Sequence, residues 1–368
     1  MQARPAQKLI SRILLALMPL FLIWLFFALC PPLSYVDQDT ADSIWTRNFA
    51  DTHHETPYNV IILGDSLANC AYIPNFLNGS SANLSVMGTS PVHEYYIIRR
   101  YLKNNPPPKT CYISFSDGLI RSLASHFPSI GSTKILSLPE SMEINKECGR
   151  FGTKFKAVPD CPIWEFYLFS PRIYQLSVIR GLFSNRKESN KHRIRHSDIH
   201  AGAYMQPVSV AFGTTDVTQD AFSIAPLNDN YYRKIIELCL SYGIQVKIVK
   251  LPSHPSLIFT ENYKRDFAEY YSNLKADYPG ITVDWFEYGL ADDCFVDNMG
   301  HMNLKGGCMF CKMLARYYPE DFAQSVPMQE DMLAGLEEYR QMGFDPSQAE
   351  PDGTLQDIFV PISKNLRQ

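Results

Sequence analysis

The sequence predicts an α/β fold built on a parallel sheet, and two observations carry that expectation. Short apolar runs of strand length recur along the chain, and helical segments alternate with most of them. A strand, helix, strand order implies right-handed crossovers and parallel neighbours. The first run, Val60-Ile61-Ile62-Leu63, also stops abruptly at Gly64-Asp65-Ser66-Leu67. That turn sets a serine hydroxyl at a strand's C-terminal end, where ligands of such sheets gather.

The first element precedes the sheet. Ile13 to Cys30 is an uncharged apolar run rich in Leu, Phe and Ile, with Pro19 its only irregularity. At about 1.5 Å per residue it nearly spans a hydrocarbon core of about 30 Å. Arg4, Lys8 and Arg12 precede it, while Asp37, Asp39 and Asp42 follow. The bias of basic residues toward the cytoplasm therefore places the N-terminus inside and the remainder outside. A cleaved signal peptide is the competing reading. No small-x-small site ends the run, and Leu29 directly before Cys30 spoils a lipoprotein signal, so a retained anchor is favoured. Residues 1–35 thus read as a cytoplasmic tail and single-pass anchor in the inner (cytoplasmic) membrane, with an extracytoplasmic domain over 36–320.

Within that domain, strands are expected at Asn59–Leu63, Ala82–Met87, Thr110–Phe115, Gln245–Leu251 and Ile281–Trp285. Pro91 to Leu102 reads as a helix ended by Asn104-Asn105-Pro106-Pro107-Pro108, and Asn230 to Tyr242 as one stopped at Gly243. Residues 117–223 break the rhythm and read as a long insertion, a cap beside the site. Residues 321–368 form a polar C-terminal tail, helical over Glu330–Tyr339 and peripheral from Phe344.

Composition narrows the partners. A hydrophobic fraction of 46% suffices for a large core, and a net charge of −4 over 368 residues leaves no basic footprint for nucleic acid. Eight cysteines follow the anchor in an oxidising compartment, where an even count permits disulfides. Cys148 with Cys161, and Cys294 with the Cys308-Met309-Phe310-Cys311 segment, are candidate pairs. Core packing or disulfides suit that Cys-x-x-Cys better than zinc, because no second pair exists. His192, His196 and His200 recur at four-residue spacing, yet Lys191, Arg193 and Arg195 crowd them with positive charge. A basic solvated or polymer-contacting loop is expected there rather than a metal site. No metal and no cofactor is implied elsewhere.

The chemistry concentrates in two segments. Ser66 is a neutral hydroxyl and needs a base; Asp297-Asn298-Met299-Gly300-His301 supplies an acid and a histidine close together. His301 would take the serine proton, and Asp297 would hold the imidazole. The bland alternatives are a helix cap at Asp65 or Ser66 and a structural histidine.

These residues resemble the SGNH/GDSL hydrolase superfamily. Gly64-Asp65-Ser66-Leu67 matches its GDSL signature, Asn83-Leu84-Ser85-Val86-Met87-Gly88 is similar to its second block, and Asp297/His301 with Asn303 and Lys305-Gly306-Gly307 resembles its terminal block. The N-terminal anchor, the Val246 to Pro255 segment and the His-x-Asn-x-x-Gly ending resemble its membrane-attached DltD-like and AlgJ/AlgX-like branch. The likeness runs from about Asn59 to Tyr317, leaving the insertion unmatched. It implies a three-layer, flavodoxin-like sheet and a catalytic set of Ser66, Asp297 and His301. The amides of Ser66 and Gly88 would form the oxyanion hole. It further implies transfer of an acyl group, acetyl by analogy, onto a cell-envelope polysaccharide, with a multipass membrane acyltransferase as donor partner. An anchored carbohydrate esterase or deacetylase, or a silent scaffold or glycan-binding protein, would share the fold. Two departures stand out. The family acid sits three residues before the histidine, where this chain has Asn298, and Asp297 is four before. The third block usually supplies an asparagine, where this chain has Ser116-Asp117-Gly118; an ionised Asp117 would repel an oxyanion unless it binds substrate, and Ser116 is the alternative donor.

Overall fold

The computed structural model describes residues 3–29, 41–77, 80–122, 135–154, 156–158, 161–162, 180–206, 215–285, 290–322 and 360–361. They divide into two units: residues 1–41 with 127–191, and residues 42–126 with 192–368.

The first unit opens with α1 (Ala3–Leu29). Its stretch Pro5–Phe26 is long and apolar enough to cross a membrane, and none of it is buried by protein. Leu14, Leu15 and Leu20 are each more than 60% exposed.

The second unit opens with α2 (Ala41–Asp51) and β1 (Val60–Gly64), followed by α3 (Ser66–Ala71), β2 (Ser81–Asn83), α4 (Pro91–Asn104), β3 (Thr110–Ser114) and α5 (Asp117–Arg121). The first unit then resumes with α6 (Leu138–Arg150) and a small hairpin of β4 (Lys156–Val158) and β5 (Cys161–Pro162). Ser137 and Glu140 close a capping box at the start of α6. Helix α7 (Arg186–Ile199) precedes β6 (Val217–Gln219), α8 (Pro226–Ser241), β7 (Gln245–Lys250), β8 (Leu257–Phe259), α9 (Glu261–Asp277) and β9 (Thr282–Trp285). The chain closes with α10 (Leu304–Tyr317), α11 (Pro319–Phe322) and β10 (Val360–Pro361).

Among the described residues the central sheet runs β10-β9-β7-β3-β1-β2. Five strands are parallel, and β10 alone pairs antiparallel, on β9. The expected strands all form, although Ala82–Met87 yields only the three-residue β2 because it is an edge strand holding register with just Val60, Ile61 and Ile62. Strand order reverses between β1 and β3, and a crevice opens beyond the C-terminal ends of strands at such a reversal. Val60, Ile62, Tyr112 and Val249 share a buried cluster with Tyr72, Phe310 and Leu314. Alternation along the strands turns Ile61 and Leu63 to the opposite face. Helices α4 and α8 pack together, their Tyr96 and Tyr231 hydroxyls 3.1 Å apart.

Three expectations change. Residues 191–199 lie in α7 and His200 just beyond it; the His200 amide bonds the His196 carbonyl at 3.0 Å, continuing the helical turn, and both rings are buried rather than solvated while His192 stays exposed. Cys148, Cys294 and Cys311 carry free buried thiols; Cys311 instead bonds the Ala71 carbonyl at 3.3 Å. The C-terminal tail is not wholly peripheral: Phe322 is buried, Asp321 bonds Tyr112 and Lys247, and β10 extends the sheet. The proposed helix at 330–339 and the aromatic residues Trp164, Phe166, Tyr167 and Tyr174 lie outside the described residues.

Candidate active site

The turn after β1 is built by Asp65. Its carboxylate caps α3 by accepting the Leu67 amide at 2.9 Å and also receives the Ser116 amide at 2.6 Å, which ties the end of β1 to the loop after β3. Burial raises its pKa above the ordinary carboxylate range, against the lowering effect of the Ser116 and Leu67 bonds and of His301. The capping reading of this turn therefore holds for Asp65, and it leaves the Ser66 hydroxyl for other work.

That hydroxyl lies 2.7 Å from His301 Nε2, and His301 Nδ1 lies 2.6 Å from Asp297 Oδ2. With the proton on Nδ1, the ring donates to Asp297 and accepts from Ser66. The other Asp297 oxygen collects the amides of Met299, Gly300 and His301 at 3.0, 3.1 and 3.2 Å. These bonds fold residues 297–301 into a tight turn, so an acid four positions before the histidine reaches the ring without help from Asn298. Burial alone would raise the Asp297 pKa, but the His301 hydrogen bond and charge, with the backbone bonds, hold it below the usual value. Its share of stability is therefore full above about pH 4 and is lost as pH falls through the lower folded value.

The loop after β2 brings Gly88 to the same place. Asn83 donates to the carbonyls of Ala68 and Tyr72 at 3.0 and 2.8 Å, Asn69 donates to Ser85 at 2.7 Å, and the Thr89 hydroxyl closes on Val86 at 2.7 Å. Gly88 sits at φ +69°, a left-handed conformation that a side chain would strain. Ser66, Gly88, Ser116, Asp117 and His301 all line one cavity of about 400 Å³. Ser116 has both its amide and its hydroxyl turned to Asp65.

Asp117 is held by a residue that sequence reading passed over. Lys250, the last residue of β7, places its ammonium 3.0 and 2.8 Å from the two Asp117 oxygens and 2.8 Å from the Tyr263 hydroxyl, which itself donates to Asp117. The rings of Phe259, Phe267, Tyr263 and Trp285 surround the ammonium at 4.8, 5.2, 5.3 and 5.6 Å. Burial and then the Asp117 charge push the Tyr263 pKa upward, which keeps its proton in place as a donor. The available signal was a lysine ending an apolar core strand, since a cation there needs a partner.

No protein-family profile and no curated protein matches the chain. Among solved structures, one from Streptococcus pneumonia named for platelet activating factor aligns with 76% of this chain and 92% of its own, at 12% identity and a TM-score of 0.33. So loose a likeness supports no conclusion about activity.

Proposed function

We propose that this chain is an anchored serine acyl-transfer enzyme of SGNH-like, flavodoxin-like architecture, which places an acyl group on a cell-envelope polysaccharide through an ester on Ser66. The unbroken hydrogen-bond chain Ser66–His301–Asp297 carries the reading. His301 Nε2 takes the Ser66 proton as Oγ bonds to the acyl carbon, and the amides of Ser66 and Gly88 receive the oxyanion. Collapse expels the leaving group, which takes the proton back from His301. An acceptor hydroxyl then gives its proton to His301, bonds to the acyl carbon and releases Ser66. Helix α1 would hold the site at a membrane surface, raising its effective concentration beside a multipass acyltransferase donor.

The test is intact-mass detection of an adduct between the external domain and a fluorophosphonate, followed by product analysis with a polysaccharide acceptor. One adduct, mapped to Ser66, with acyl groups accumulating on the polymer, is expected. Free acid alone would make the enzyme an esterase, and a folded domain without adduct would remove the catalytic reading.

Asp297→Asn keeps the turn but loses the charge that stabilises imidazolium, so kcat should fall by about 10³–10⁴. Because Asp297 stays ionised below the usual carboxylate range, the acid limb of the wild-type pH–rate profile should report another group. A variant within threefold of wild type would show that His301 needs no carboxylate.

The cavity also speaks to the acyl group. Its polar wall is largely self-satisfied: Asp117 pairs with Lys250, Arg121 bonds Gln219, and Ser116 bonds Asp65. Leu67, Phe115, Leu119, Leu251, Leu257 and Phe259 supply much of its apolar surface. An acetyl group would leave most of that surface uncovered. Across aryl esters of two to eight acyl carbons, kcat/KM should rise about fourfold per buried methylene until the cavity fills. A maximum at acetyl would assign the apolar wall to something other than the acyl chain.

A further inference from the structure

We propose that Lys250 is a positioning residue that neutralises the active-site wall, allowing a carboxylate to stand beside a developing oxyanion. The inference rests on the Ser66 reading. Asp117 lines the same cavity as Ser66, Gly88 and His301, and the neighbouring Ser116 amide rests on the Asp65 carboxylate, adjacent to the nucleophile. Attack by Ser66 creates negative charge on the acyl oxygen, and an unpaired carboxylate across a partly desolvated pocket would oppose it. At an effective dielectric of about 20 and a separation of roughly 6–10 Å, that repulsion slows turnover by about 10–100-fold.

The structure supplies a counter-charge on the side of Asp117 where aromatic rings enclose it. The Asp117 and Lys250 side chains are only 15% and 11% exposed, and the ammonium contacts both carboxylate oxygens. Lys250 projects from the end of β7, while Tyr263 and Tyr271 face Asp117 from α9; Arg121 lies on the carboxylate's own helix, and His301 lines the cavity with it. Among these groups Lys250 alone makes a two-point ionic contact with the carboxylate. A buried ion pair gives little net stability over an apolar pair of the same shape, so stability alone gives little reason for one at this wall.

The experiment compares Lys250→Met, Asp117→Asn and the double variant by ester turnover and fluorophosphonate labelling between pH 6 and 8, with folding checked by thermal melt. Lys250→Met should lose about 10–100-fold in kcat/KM at pH 8. The double variant should return to within about threefold of wild type at every pH. A double variant as slow as Lys250→Met would overturn the proposal, since it points to packing or to the ammonium itself. If Lys250→Met does not fold, the double variant decides alone: near-wild-type turnover supports the proposal and a large loss refutes it. A wild type that never labels overturns the Ser66 reading first, and this inference with it.

Discussion

Ser66→Ala should abolish the fluorophosphonate adduct and lower ester turnover by about 10⁶, with His301→Ala nearly as severe. The two magnitudes follow from how the parts act. A serine at its ordinary pKa is a poor nucleophile, so Ser66 without His301 retains little advantage over water, and His301 without Ser66 has no ester to form. Residues that act as one unit are strongly non-additive, and the double variant should be no slower than either single one. What remains would come from binding and the oxyanion amides, about 10³–10⁴ over the uncatalysed reaction. Neither side chain is fully buried, and Ser66→Ala loses a single hydrogen bond, so it should melt close to wild type; His301→Ala also loses the Asp297 contact and should melt slightly lower. Turnover surviving in Ser66→Ala would sink the covalent route, and labelling in His301→Ala at the wild-type rate would remove the histidine from it.

Gly64→Ala should be strongly destabilising. Gly64 pairs with Ser114 across β1 and β3, and a Cβ built on it would lie 2.0 Å from the Ser114 carbonyl oxygen and 2.6 Å from Ala68 Cβ. The nearest atom is backbone, so relief requires the two central strands to part or α3 to tilt. Overpacking in a rigid core costs about 1–3 kcal/mol and more where backbone must move; at about 3 kcal/mol a domain of this size should melt roughly 6–12 °C lower. Turnover should fall with it, because Ser66 is two residues on. Gly118→Ala is the control: nothing lies within 4 Å of its added methyl, and a helical alanine costs no strain. Equal melting of both variants would mean that the crowding at Gly64 is absorbed without cost.

The sheet was legible because its strands are apolar runs bounded by glycine or proline, and the helices because capping and stop residues frame them. The nucleophile turn was legible because Gly64-Asp65-Ser66 interrupts such a run. How Asp297 meets His301 was not, since the answer lies in three backbone amides folding over one carboxylate oxygen, and spacing alone cannot show that turn. Ser116 and Asp117 were visible as oddities, but their partners, Asp65 and Lys250, stand 51 and 133 residues away. The burial of His196 and His200 was hidden by Lys191, Arg193 and Arg195, which crowd the segment just before them. Asn69 gave no signal either, being an ordinary helix residue until Ser85 and Gly202 are brought to it.

The antiparallel pairing of Val360 and Pro361 with Trp285 and Asp284 has a consequence for how the molecule is made. A chain emerging from its N-terminus completes β9 some seventy residues before the strand that covers its outer edge exists. During that interval the sheet ends in a row of unpaired amides and carbonyls, the surface on which one chain recruits another. Val360 and Pro361 thus act as a closing seam, and a chain released before they are made carries a nearly finished sheet with an adhesive border.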